Sequence, residues 1–148
     1  MITQVAAVAA AMVAAVVVAL VVKRRRPDAP TQPTFEIPAQ IDRADFASPE
    51  AGWLVAVFTS ATCATCADVA DKAAVLASRD VAVQRIDYTV DPALHKRYRI
   101  DAVPLLVVAD ADGVVHKGFI GPVKAQDLWA AVAECRDPGS TPPACGSH

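Results

Sequence analysis

An α/β fold, with a central mixed sheet flanked by helices and preceded by one N-terminal transmembrane helix, is what the sequence predicts. Three observations predict it. An uncharged run of 21 residues, Ile2 to Val22, closes on Lys23-Arg24-Arg25-Arg26. From Trp53 to Tyr98, short apolar segments alternate with segments of helical spacing. Two further apolar segments then flank Asp110-Ala111-Asp112-Gly113, the mark of an antiparallel hairpin.

The first run is almost wholly Ala, Val, Leu and Met. As a helix it extends roughly 32 Å, enough to cross a bilayer. A cleaved secretory signal would have a basic start and a small-residue cleavage site before polar sequence, whereas Met1-Ile2-Thr3-Gln4 carries no basic side chain and the run ends directly in four cations. A buried core helix would show a polar face, and none is present. Residues 1–22 therefore read as a transmembrane anchor, and 23–40 as a basic stop followed by a Pro-rich linker. Because the cations all lie on the C-terminal flank, the expected state is a single-pass protein of the cell membrane with its body on the cytoplasmic face. A lipid headgroup contact by the same cations is compatible with this.

All sixteen acidic residues follow Arg26, but only ten of the fourteen basic ones do, so the body carries a net −6 with His neutral. With so few aromatics and no basic stripe, nothing in it matches a nucleic-acid footprint.

In order, Thr34 to Ile37 reads as a short edge strand, and Asp42 as the N-cap of a brief helix, Arg43 to Phe46. The strand Trp53 to Phe58 is a continuous apolar run, as in a strand buried on both faces. A helix from Cys63 to about Ser78, a strand Val81 to Ile86 and a helix Pro92 to Tyr98, capped by Asp91, follow it. Strand, helix, strand in succession predicts parallel pairing through a crossover. The hairpin strands are Leu105 to Ala109 and Val114 to Ile120. A last helix, Lys124 to Cys135, would bury Leu128, Trp129 and Val132. Residues 41–137 make one domain, and the Pro/Gly/Ser-rich residues 138–148 a disordered tail.

The chemistry-bearing stretch is Ser60-Ala61-Thr62-Cys63-Ala64-Thr65-Cys66. Two cysteines at i and i+3 of a helix lie on one face, close enough to form a small disulfide ring. Cys63, at or before the helix start, meets unpaired backbone N–H groups and the positive end of the helix dipole, which favour a thiolate. Cys63 is thus the expected nucleophile and Cys66 the resolving thiol.

Over roughly Ile41 to Asp137 the chain resembles the thioredoxin-like family. The resemblance is carried, in order, by Cys63-Ala64-Thr65-Cys66 between strand and helix, Ile86-Asp87, Tyr98-Arg99-Ile100, Val103-Pro104 before the hairpin, Gly121 and Leu128. It implies that Pro104 is a cis-proline facing the dithiol and that Thr62, Val103 and Pro104 border the groove where a substrate cysteine docks. It also implies thiol–disulfide exchange with protein disulfide or dithiol substrates, without cofactor or metal. The chain departs from the family at several positions. Thr62 stands where thioredoxins carry Trp, and Ala64-Thr65 where they carry Gly-Pro. Val57 and Val83 stand where the family has a buried acid and its lysine partner. Deprotonation of Cys66 then falls to water, the Thr65 hydroxyl or Asp68, so that slower general reductase activity and a dedicated partner are expected.

Two other readings stay open at the level of sequence. Cys63 and Cys66 could form half of a zinc site completed by Cys135 and Cys145, or by His95, His116 or His148. Alternatively, the domain could be a binding module with little turnover. The histidines read as solvated, Trp53 and Trp129 as core, and Cys135 and Cys145 as a pair only outside the cell.

Overall fold

The structure, a computed structural model, describes residues 35–140 together with Met12, Ala15 and Val16. The chain divides into two units, Met1–Thr34 and Phe35–His148. In the first, Met12, Ala15 and Val16 are helical and exposed. The rest of the expected span, and the tail beyond residue 140 with Cys145 and His148, lie outside the described residues. Among the described residues no helix is long and apolar enough to cross a membrane.

The second unit is built on a four-stranded sheet in the order β2-β1-β3-β4: β1 Trp53–Thr59, β2 Val81–Asp87, β3 Leu105–Asp110 and β4 Val115–Ile120. The pairing β1–β2 is parallel, while β1–β3 and β3–β4 are antiparallel. Helices α1 (Cys66–Ala74), α2 (Pro92–Arg97) and α3 (Ala125–Arg136) complete it, with a 3₁₀ turn at Arg43–Asp45.

The continuous apolar run of β1 is explained by its two covered faces. Val55 and Val57 point into a cluster with Val69 and Ala73 of α1 and Leu128 and Val132 of α3. Leu54, Ala56 and Phe58 point to the other side, against Ile41, Phe46 and Ile100. Every residue of β1 from Leu54 to Thr59 is at most 1% exposed. Together with the equally buried Leu105 to Ala109 of β3, this strand forms the centre of a core with a cluster on each face of the sheet.

Local signals place the helix starts. Asp42 accepts from the Ala44 N–H and Asp91 from the Leu94 N–H, with Pro92 opening α2. The Tyr98 hydroxyl donates to Asp45 and accepts from the Asp42 N–H, which fastens the 3₁₀ turn to the end of α2.

Several expectations are corrected. No strand forms at Phe35–Ile37; instead a single antiparallel bridge joins Gln40 to Val114, and the Ile41 N–H donates to the Gly113 carbonyl at 2.8 Å. Helix α1 begins at Cys66 and ends at Ala74, because Leu76 and Ala77 donate three residues back and tighten the chain out of α geometry. Trp129 is 43% exposed: its indole N–H reaches the Lys72 carbonyl at 3.0 Å, which holds the ring across the outside of α1 and α3. Conversely, His95 is 2% exposed, its ring packed edge-on against Phe58 and Tyr88.

Gly113 lies at φ +80°, where an added Cβ would fall 2.0 Å from the Ile41 carbonyl oxygen. We expect Gly113→Ala to destabilise the domain by more than about 2 kcal/mol, through left-handed strain and forced separation of the hairpin tip from Ile41. Urea unfolding checks this, with Gly139→Ala, equally left-handed but with nothing near its Cβ, as the milder comparison.

Candidate active site around Cys63 and Cys66

β1 delivers its last residue, Thr59, fully buried, and the chain then turns sharply: the Cys63 N–H donates to the Ser60 carbonyl at 3.1 Å. The next turn opens α1, with the Cys66 N–H 3.4 Å from the Cys63 carbonyl. Cys63 and Cys66 are joined as a disulfide with Cα atoms 5.5 Å apart. Cys66 is 1% exposed, whereas Cys63 is half-buried. An incoming sulfur or thiolate therefore has access to Cys63 and is barred from Cys66.

Thr65 is the N-cap residue of α1, yet its side chain makes no capping bond. Its hydroxyl lies 3.9 Å from Cys63 Sγ. A disulfide sulfur can only accept, so the hydroxyl is the donor, and the same bond is available to a Cys63 thiolate. The sequence alone offers this hydroxyl to Cys66; the structure places it beside Cys63. Around the motif, Thr62 is exposed and exchanges a 3.2 Å hydrogen bond with Ser60.

The Val103-Pro104 bond is cis. Phe58 pairs with Leu105, so the motif that follows β1 and the Val103-Pro104 step that precedes β3 emerge at the same end of the sheet. Pro104 is buried and Val103 half-buried, and the Pro104 carbonyl accepts from the Gly121 N–H at 2.8 Å, Gly121 lying at φ +83°.

Neither the acid expected at Val57's position nor its lysine partner at Val83's is present. Val57 is 1% exposed, Val83 is half-buried, and they share a cavity of about 310 Å³ whose only charged lining residues are Asp71 and Arg85. Asp68, the other acid considered, pairs at 2.6 Å with Lys72, which also donates to the Val123 carbonyl at 3.0 Å. It is an exposed residue tied along the helix.

Sequence reasoning missed a polar cluster at this end of the sheet. Arg85 Nε donates to the buried Thr59 Oγ1 at 3.1 Å, and that hydroxyl has its own acceptors in Asp87 Oδ2 and the Ile86 carbonyl. Alternation along β1 and β2 could have found it, since Thr59 and Arg85 fall on the Val57 face. The Thr89 hydroxyl, followed by its N–H, holds the Asp87 carboxyl below the ordinary carboxylate range, with Thr59 and Arg85 adding to this. Asp110 is also lowered: burial opposes its charge, but the His116 ring at 2.6 Å and the N–H groups of Val114 and Asp112 outweigh it.

Both folded-state values lie below the unfolded one. Their stabilisation is therefore complete above about pH 4 and is lost as pH falls through the folded values. Thermal melts of wild type and Asp87→Asn should differ at pH 7 and converge at low pH; a difference that persists undiminished in acid would contradict this assignment.

Among the described residues no group of three or more His, Cys, Asp or Glu side chains is arranged to hold a metal. Cys135, the free cysteine among them, is half-buried, and burial raises its thiol pKa.

No family model and no curated protein matches the chain. Solved structures do. A mutant thioredoxin from Halobacterium salinarum NRC-1 aligns with a TM-score of 0.52 at 26% identity, over 58% of this chain and 76% of that one. A malarial protein aligns with a TM-score of 0.50 at 15% identity, over 56% of this chain and 96% of that one. The oxidised mitochondrial thioredoxin 3 of Saccharomyces cerevisiae gives 0.49 at 22% identity, over 58% and 81%.

Proposed function

We propose that this member of the thioredoxin-like family, a thiol–disulfide oxidoreductase, acts on a protein partner from a membrane tether, with Cys63 as nucleophile and Cys66 as resolving thiol. The observation that carries the assignment of roles is the difference in exposure between two sulfurs of one disulfide, half-buried against 1%.

In the reducing direction, the Cys63 thiolate attacks one sulfur of the partner disulfide. A Cys63–partner bond forms, and the other partner sulfur leaves as a thiolate and takes a proton from solvent. Cys66, deprotonated, then attacks Cys63 Sγ. The Cys63–Cys66 bond forms, the second partner sulfur leaves, and the partner has gained two electrons and two protons. Run in reverse, the same pair oxidises a partner dithiol. The start of α1 and the Thr65 hydroxyl support the Cys63 thiolate in both directions. Cys66 has no carboxylate at Val57 to take its proton, so resolution is the slow step and turnover on general substrates is low.

The tether rests on the 21-residue apolar run and the four cations that end it. The chain should remain with membranes through alkaline carbonate extraction, and a C-terminal reporter should be active only on the cytoplasmic side. Release by carbonate would remove the tether, and a reporter active only after export would reverse the orientation.

A binding module with little turnover is the second reading, favoured by the buried Val57. Insulin reduction separates the two: slow but catalytic turnover, lost in Cys63→Ser, supports exchange, and none at all supports docking alone.

A further inference from the structure

Between the end of β2 and the cis-proline step, the chain encloses an open groove of about 600 Å³. Tyr88, His95, Lys96, Arg99 and Asp101 are among its lining residues. It lies at the reactive end of the sheet. The Tyr88 N–H donates to the Thr59 carbonyl at 2.9 Å, and Cys63 follows Thr59 by four residues, a reach of at most about 14 Å. On its other side, Ile100 and Asp101 lead directly into Val103-Pro104.

The charge of this groove is unlike the rest of the body. Among the described residues Lys96 and Arg99 take part in no salt bridge, and Asp101 is the single acid lining the groove. Two cations against one carboxylate leave a positive patch on a body of net −6. A cation in the last turn of a helix complements the helix dipole, and that accounts for Lys96. It does not account for Arg99. This residue sits past the helix end at φ +53°, closing α2 through the Ile100 N–H to His95 carbonyl bond at 2.8 Å and its own N–H to Lys96 at 3.2 Å. Glycine is the usual occupant of that position, since it alone takes the left-handed conformation freely. An arginine held there in spite of its backbone points to a use for the guanidinium.

The remaining exposed wall is formed by Tyr88, 53% accessible, and by Pro92. The Tyr88 ring is seated edge-on against the buried His95 ring at 5.3 Å, so this wall is set before any partner arrives.

We propose that this groove docks an acidic segment of the partner protein, adjacent to the cysteine that Cys63 attacks; the proposal rests on the exchange reading above. Lys96 and Arg99 pair with the segment's carboxylates, and Tyr88 and Pro92 cover its aliphatic parts. The acidic remainder of the body repels the same segment, so encounter is steered to this face.

The test uses the reduced full chain in detergent and three oxidised probes: bis(2-hydroxyethyl) disulfide, and two otherwise identical peptides whose single cysteine is capped with 2-mercaptoethanol. One peptide carries three Glu after the cysteine, the other three Gln. At low salt the Glu peptide should react at least about tenfold faster than the Gln peptide, and the advantage should vanish at about 0.5 M salt. Lys96→Glu with Arg99→Asn should abolish the advantage, asparagine being tolerated at positive φ. Lys96→Glu alone, which leaves the Arg99 turn intact, should reduce the advantage at least about threefold. Both variants should react with the small disulfide at the wild-type rate. Equal rates for the two peptides, or an advantage that survives in the double variant, overturns the docking site while leaving exchange standing. Wild type inert toward all three probes overturns exchange and the docking site with it.

Discussion

Cys63→Ser should lower the rate of disulfide exchange by at least about a thousandfold, with the fold intact. The hydroxyl of serine is not ionised near neutral pH, so the thiolate supported by the α1 terminus and by Thr65 has no replacement. Cys66 cannot substitute, being 1% exposed. Cys66→Ser should keep the first attack and lose the second: reaction with a small disulfide would run to one equivalent and stop at the mixed disulfide. Stopped-flow reduction of a chromogenic disulfide separates these steps. Equal residual activity in both variants would contradict the assignment of roles.

Val57→Asp is the second large effect, and it acts on stability and chemistry in opposite directions. Val57 is buried in an apolar cluster and also borders the cavity that Asp71 and Arg85 line, Arg85 being its partner in register across β1 and β2. A carboxyl there loses its hydration, which should destabilise the domain by about 2–4 kcal/mol at neutral pH. Burial raises its folded pKa above the unfolded value of about 3.9. The penalty of the charged form is accordingly absent below pH 4 and grows as pH rises through the folded value. The same carboxyl would stand where the family resemblance puts the proton acceptor for the second cysteine, and resolution of the mixed disulfide should accelerate. Urea unfolding at two pH values and single-turnover release of product measure the two sides. Unchanged stability would mean that Val57 is not in the core; unchanged resolution would mean that its position has no part in deprotonating Cys66.

Much of the fold was legible because its signals are local. The β1 run announces a doubly covered strand, Asp42 and Asp91 cap their helices, and Asp110 to Gly113 turns the hairpin. The cysteine pair was equally plain in the residues, and the cis bond at Pro104 came from the ordered resemblance rather than from any local pattern. What stayed hidden depends on neighbours far along the chain. Trp129 faces outward because the Lys72 carbonyl, 57 residues earlier, holds its N–H. His95 is buried because Phe58 and Tyr88 enclose it. Thr65 serves Cys63 because α1 starts at Cys66, three residues later than periodicity implied, which leaves its hydroxyl in the turn and not on the helix. Arg85 reads as a surface cation until the register sets it beside Thr59.

The most direct measurement is a trap. Reduced Cys66→Ala protein is mixed with an excess of an oxidised protein substrate, quenched in acid and digested for mass spectrometry. Attack by Cys63 followed by resolution from Cys66 predicts a stable one-to-one mixed disulfide carried on Cys63, dissolved by reductant and absent from Cys63→Ser. Adducts carried on Cys135 alone, or none on Cys63, would contradict it.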